Sequence, residues 1–256
     1  MSYNSATIRD FLAGRPPFDQ MSTAALSRLS EKCQLLRYRM GQAVVVREEM
    51  PSQVVIVYQG QLRLLGYHPQ NQMVVTLKLL GPGEVVGWAG LVREVACETA
   101  IASTEAICIT LSSEDFLAEL QREPALAAAF EDHCSLVEVF YLLGSALEQR
   151  PDSEALLKAL GAVDLKELTL KVYPQAVVCN LPPGKTSLSS LDPNLAWFVS
   201  GGEITNYPVG SRLTPGNGQV EVKNSSAARL IGFRELALPI SASTTSSQGN
   251  GISATA

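Results

Sequence analysis

The chain has 256 residues and a mass of 27.5 kDa, and its 46% hydrophobic and 18% charged composition supplies core material for one large or two ordinary domains. A formal net charge of −5 and a pI near 5.2 exclude broad attraction to nucleic acid or anionic lipid, and no local basic cluster stands out. The longest apolar runs, VVIVY and LALPI, fall far short of the roughly 18 to 20 residues that span a bilayer, and MSYNSATIRDFLAG lacks a signal-peptide hydrophobic region.

A soluble, cytoplasmic chain is the expectation. Cys33, Cys97, Cys108, Cys134 and Cys179 form an odd, widely spaced set without a CxxC pair, as suits buried thiols in a reducing compartment.

From Phe18 to Cys33, FDQMSTAALSRLSEKC opens with a cap at Ser22 and places Leu26, Leu29 and Cys33 on one helical face, which predicts a short amphipathic helix. The period then changes. LLRYRMGQAVVVREE, VVIVYQGQLRLLGYH and MVVTLKLLGPGEVVGW are β-branched runs broken by Gly41, Gly60, Gly66, Gly81 and Gly83, the pattern of strands joined by tight turns. ETAIASTEAICITL adds strand, and Ser112 with Asp115 forms a capping box opening a helix over SSEDFLAELQREP. Pro124 to Gln149 reads as one long apolar helix, with Phe130, Val137, Phe140, Tyr141 and Leu147 for packing, until RPDSE interrupts it. Such a helix must bury its apolar face, either in a homodimer or by capping its own domain. Residue 150 is the expected boundary between a first domain over 1–149 and a second over 150–240.

The second part carries an echo of the first. VCNLPPGKTSL and LAWFVSGGEITNYP follow LRYRMGQAVVV and VIVYQGQLRLLGYH in the same order. Gly41 precedes Gly60 by 19 positions and Gly184 precedes Gly201 by 17, each in a turn between strand-like runs. Neither half alternates helix with strand as a parallel sheet requires, so a second, shortened β-domain is expected. SASTTSSQGNGISATA, residues 241–256, is too polar and glycine-rich to bury a face and reads as a flexible tail or linker. The fold class is therefore mainly β with flanking α-helices.

Several motifs fail on their mechanics. PPGKTS ends like a phosphate loop, but the glycine that should open that loop falls at Cys179. His68 and His133 are the only histidines, too few for a cupin-type metal centre. His133 and Cys134 are consecutive in an expected helix and so point apart, which disfavours a nucleophile and base pair. NSS at Asn224 matches a glycosylation sequon without anything to direct the chain to the secretory pathway. No catalytic residue, metal ligand or cofactor is assigned, and no enzyme activity is expected.

Over residues 18–148, the order of helix, glycine-punctuated roll, short loop, strand and helix resembles the cyclic nucleotide-binding domain family, which includes catabolite activators, kinase regulatory subunits and gated channels. The resemblance implies a double-stranded β-helix, a jelly-roll-like β-roll. It also implies a phosphate-binding cassette similar to Phe-Gly-Glu-Leu-Ala-Leu, a few residues, then Pro-Arg-Ala-Ala, which holds a cyclic phosphate and a ribose hydroxyl. Here the stretch is GEVVGWAGLVREVACETA, with Gly83, Glu84, Gly87, Trp88, Ala89, Gly90, Leu91, Arg93, Cys97, Glu98 and Thr99 as the candidate positions. Gly87 and Leu91 match the scaffold. Trp88 stands where the ribose-binding glutamate belongs; an ungapped register puts Cys97 at the phosphate arginine and a one-residue shift puts Glu98 there. Arg93 is four positions early and could reach inward, yet residues 86–100 hold one positive and two negative side chains. Hydrogen bonds to charged groups contribute roughly 1.5 to 3 kcal/mol each, so loss of both anchors should drop a micromolar site toward about millimolar. A cleft filled by Trp88 and its neighbours, a changed ligand, and residual nucleotide binding through Arg93 remain open.

A narrower resemblance covers nearly the whole chain: LRYRMGQAVVVREEMPSQVVIVYQGQLRLLGY, GEVVGWAGLVREVACETAIAS and WFVSGGEITNYPVGSRL look like the N-terminal cytoplasmic region of peptidase-containing ABC exporters of photosynthetic prokaryotes. It implies a non-catalytic regulatory or substrate-recruiting module, tethered to the inner membrane through a transporter. Its partners would be the transporter, peptidase and ATPase domains or the secreted substrate. A small-ligand sensor is the alternative. A transcription regulator would need a helix-turn-helix, and the turn-rich PPG, DPN, SGG, YPVG and TPGNG of the C-terminal half leave little room for one.

Overall fold

The structure is a computed structural model describing residues 4–149, 162–216, 218–223 and 227–234, the side chains of 162 and 163 excepted. The expected boundary at residue 150 and the tail 241–256 lie outside the described residues.

Asn4 accepts the Thr7 N–H and starts α1 (Ser5–Ala13), a helix the sequence reading does not anticipate. Ser22 accepts from Ala25 N–H and caps α2 (Thr23–Lys32), which buries Leu26 and Leu29; Cys33 leaves the helix in extended conformation and is only half-buried. Eight strands follow: β1 (Gln34–Tyr38), β2 (Ala43–Val45), β3 (Gln53–Gln59), β4 (Leu62–Tyr67), β5 (Val74–Leu80), β6 (Val85–Val86), β7 (Thr99–Ala102) and β8 (Ala106–Ser112). They form two antiparallel sheets, β1-β8-β3-β6 and β2-β7-β4-β5, the expected jelly-roll-like β-roll with flanking helices. Gly66 does not break a run. It lies within β4, where a Cβ would come 2.9 Å from both Leu77 and Phe140.

The Ser112 box opens α4 (Ser113–Arg122), its Oγ accepting from Asp115 N–H and donating to Asp115 Oδ2. The long helix expected from Pro124 to Gln149 is two helices, α5 (Pro124–Glu131) and α6 (Leu136–Glu148). A capping box causes the break: Ser135 Oγ accepts from Glu138 N–H while Glu138 Oε2 accepts from Ser135 N–H. His133 and Cys134 consequently lie in the connecting loop rather than on a helix. α6 is enclosed on nearly every side, from Leu136 to Leu147, packing on β4 of the roll and on β11. A further helix, α7 (Ala162–Val172), packs against it through Leu165.

Past α7 the roll's plan returns in short form. β9 (Val177–Leu181), β10 (Gly184–Ser187), β11 (Leu195–Gly201), β12 (Arg212–Leu213), β13 (Gln219–Val222) and β14 (Ala228–Arg234) make one sheet in the order β12-β11-β14-β9 and a pair β10-β13. Substituting β1, β8, β3 and β6 for β9, β14, β11 and β12 reproduces the first sheet of the roll. The correspondence extends to the bulge: register shifts between Val57 and Gln59 against β8, and between Val199 and Gly201 against β14. It also corrects the glycine pairing. Gly60 (φ +87°) would place a Cβ 2.9 Å from Ala106 Cα, and Gly202 (φ +75°) 2.8 Å from Ala228 Cα, so Gly202, not Gly201, is the counterpart of Gly60.

The sheets that contain β3 and β11 are each covered on both faces, which explains why these two strands read as unbroken apolar runs. Val54 and Ile56 face the layer formed by α1, α2 and α4, and Val55 and Val57 face the roll interior. In β11, Trp197 and Val199 face the second lobe's own core, whereas Ala196 and Phe198 join the core around α6. No helix among the described residues is long and apolar enough to cross a membrane.

Candidate functional site

β6 ends at Gly87, whose φ of +85° turns the chain into α3 (Trp88–Arg93); a Cβ there would lie 2.7 Å from the Gln53 carbonyl oxygen. The turn before it is held by Glu84, which accepts from Gly81 N–H at 2.7 Å and pairs with Lys78 at 2.7 Å. Gly83 (φ +96°) packs on the Arg15 side chain. Gly90 sits against Pro51, Leu91 is half-buried, and Thr99 Oγ1 accepts from Arg47 N–H at 3.1 Å.

Cys97 and Glu98, the residues of the two registers, take different places. Glu98 is fully buried, and its Oε2 accepts the Ala89 N–H at 3.0 Å. Burial raises its carboxyl to about 7, opposed by backbone N–H groups of Ala89, Gly90 and Gly87 and by the Arg93 charge. The chain therefore aims its own carboxylate at the amides that open α3. Cys97 turns into the roll core, where burial pushes its thiol up to about 12 and leaves it a packing residue.

Arg93 does not reach into the cleft. It is 3% exposed, its Nε donates to Ser200 O at 3.0 Å and Oγ at 2.9 Å, and it stands 3.7 Å from Glu138. Trp88 is half-buried with its ring 5.2 Å from Phe130, which continues edge-on to Phe116, so the ring ties α3 to α5.

A cleft of about 450 Å³ opens beside Trp88 between the roll and α5. Of the candidate positions, Gly83, Glu84, Trp88 and Glu98 line it; Gly87, Ala89, Gly90, Leu91, Arg93, Cys97 and Thr99 do not. Leu64, Leu80, Val85, Phe130 and Leu136 make its walls apolar, and Lys78, already paired with Glu84, is its only lysine among the described residues. Pro16, Pro17, His133 and Tyr173 also border it, from segments the sequence offers no reason to join to residues 83–100. No group of three or more residues suited to a metal occurs among the described residues.

Residues 35–123 match the family described as cyclic nucleotide-binding domain. No curated protein matches the chain. Among solved structures, the chain is similar to the regulatory subunit of a cAMP-independent protein kinase A from Trypanosoma brucei, at 15% identity and a TM-score of 0.44, over 61% of this chain and 52%, about half, of that one. It is similar to the regulatory domain of Toxoplasma gondii PKA, solved with cAMP, at 13% identity and a TM-score of 0.42, over 90% of this chain and 88% of that one. It is also similar to the sensor domain of the transcriptional regulator DNR from Pseudomonas aeruginosa, at 18% identity and a TM-score of 0.43, over 58% of this chain and 93% of that one. The match to the cyclic nucleotide-binding domain family thus covers β1 to β8 of the roll, and within it an acidic side chain, Glu98, stands at the amides that open α3.

Proposed function

We propose that the chain is a non-catalytic regulatory or substrate-recruiting module of a peptidase-containing ABC exporter, whose roll keeps the family frame without serving as a cyclic nucleotide switch. The observation that carries this reading is the cassette itself: Glu98 faces the α3 amides, and Arg93 is committed to Ser200. A cyclic phosphate would have to displace a buried carboxylate and would find no guanidinium lining the cleft among the described residues, so the bonds worth roughly 1.5 to 3 kcal/mol each are missing and repulsion is added. The exporter assignment is supported by the sequence resemblance. The partners are the transporter, peptidase and ATPase domains or the secreted substrate, with no role for nucleic acid or for insertion of this chain into the bilayer.

Binding of the purified chain to the isolated peptidase and ATPase domains and to the substrate leader of such an exporter tests the reading. Saturable binding to one of them is expected. No binding to any, together with micromolar binding of cyclic AMP, would replace the module by a nucleotide sensor.

The 450 Å³ cleft favours a second reading, a sensor for a compact uncharged ligand resting on Trp88, since its walls are apolar and its floor is acidic. Quenching of Trp88 fluorescence by an uncharged aromatic probe, but not by its phosphorylated form, is the outcome that separates this reading from nucleotide sensing.

A further inference from the structure

The roll and the second lobe meet at a buried charge cluster that no ligand chemistry in the cleft requires. Glu138 on α6 is fully enclosed and takes Arg229 of β14 in a two-pronged pair, Nε to Oε1 at 2.8 Å and Nη2 to Oε2 at 3.2 Å. Ser200 Oγ donates to the same Oε1. Arg229 also donates to the carbonyls of Glu131 and His133, where α5 ends and the loop to α6 runs. Arg93 completes the set through Ser200. Its own carbonyl accepts from Gly202 N–H at 3.3 Å, and Gly201 approaches so closely that a Cβ would lie 2.2 Å from that oxygen. One bulge of the second lobe, Ser200 to Gly202, thus holds the C-terminal end of the cassette helix. Through Glu138 it also holds the loop that positions α5.

We propose that the second lobe is a clamp on the cassette: its β11 bulge fixes α3 against α5 and so sets the width of the cleft from outside it. Three features carry this. The contact is made by backbone as well as side chains, so no rotamer change releases it. Glu138 is shared by two arginines, so taking it away would leave two buried cations facing each other; the cluster holds or opens as a unit. The bulge residue of the roll, Tyr58, corresponds to Ser200 yet packs its ring on Phe11 with centroids 4.7 Å apart, away from α6. The inference stands on this geometry whether the chain serves an exporter or senses a ligand.

Gly201→Ala in the full chain tests it, because the added methyl must push the bulge off the Arg93 carbonyl. By hydrogen exchange, the amides of residues 89–95 should exchange at least about tenfold faster than in the parent. Those of β11 and β14, at 196–199 and 229–232, should keep their protection. Acrylamide quenching of tryptophan emission should rise as Trp88 loosens; Trp197 is 3% exposed and contributes little to that signal. Ser200→Ala removes only the hydroxyl. It should shift the same amides in the same direction by less, and it decides the question if Gly201→Ala does not fold. Unchanged protection over 89–95 in the folded variant, or acceleration spread equally over β11 and β14, would overturn the clamp.

Discussion

The roll and the second lobe share a strand order and a bulge but not the parts inserted between strands. Between β3 and β7 the roll carries the β4-β5 hairpin and the α3 loop over residues 87–98; the second lobe has a turn in which Ile204 bridges to Tyr207 and to Val222, and only residues 214–218 between β12 and β13. The frame and the cleft are therefore separable. A lobe that keeps the paired sheets alone can bury Trp197, Val199, Leu213 and Leu230 in a core of its own, but it lacks the hairpin and helix that wall the cleft of the roll. What it retains, a glycine-rich bulge, is turned to holding the other lobe. The same position is a packing corner in one copy and a grip in the other.

The sharpest way to break this comparison is at the seam. Glu138→Ala should cost about 3 to 5 kcal/mol in urea unfolding, because Arg93 and Arg229 are left buried without a counter-charge. Glu203→Ala, which removes the exposed pair with Lys223, should be indistinguishable from the parent in the same melts. Comparable losses at the two sites would mean that the seam does not hold the lobes together.

Two of the buried carboxylates, Glu98 and Glu138, should respond to pH in opposite directions. Glu98 has a folded-state pKa raised from an ordinary 4.5 to about 7, so its contribution is complete below 4.5 and is lost as pH rises through 7. For Glu138, burial alone would raise the pKa, but the Arg229 charge and hydrogen bond, with Arg93 and Ser200, outweigh it and hold the group low. Its contribution is present above 4.5 and lost as pH falls below that. Urea melts from pH 5 to pH 8 should show the parent losing stability, by roughly 3 kcal/mol at most, with Glu98→Gln flattening the slope. A slope unchanged by Glu98→Gln would place the titration elsewhere.

Smaller in effect, Gly60→Ala and Gly202→Ala should each destabilise by about 1 to 3 kcal/mol, since both need a left-handed backbone and both press on the first residues of the partner strand. Equal costs, read from thermal melts of the two variants, sharpen the correspondence between the lobes. A neutral Gly202→Ala would break it.

Local chemistry was readable in the sequence where a signal lies within a few residues. The caps at Ser22 and Ser112 and the turn at Gly41 are of this kind: each serine accepts from an amide three residues on, and Gln42 N–H donates to Arg39 O across the turn. The same rule applied at Ser135 and Glu138 would have divided the long helix, but the apolar run across it masked the box. α7 is weakly marked because Val163, Thr169 and Val172 dilute the helical pattern of a segment that depends on packing against α6. In the site, the departures at Trp88, Cys97 and Glu98 were visible as residue types. That Glu98 faces Ala89 while Arg93 turns to Ser200 was not, since both follow from how β7 and β11 approach α3 across the folded chain.

The most direct measurement is an amide NMR titration of the full chain with cyclic AMP, following Gly87, Ala89 and Gly90. With Glu98 at those amides, their signals should stay in place until the nucleotide nears about millimolar concentration, and should instead move with pH around 7 as the carboxyl titrates. Saturable displacement of the three signals at micromolar cyclic AMP would show that a phosphate takes the place assigned to Glu98, and the roll would then be a working nucleotide switch.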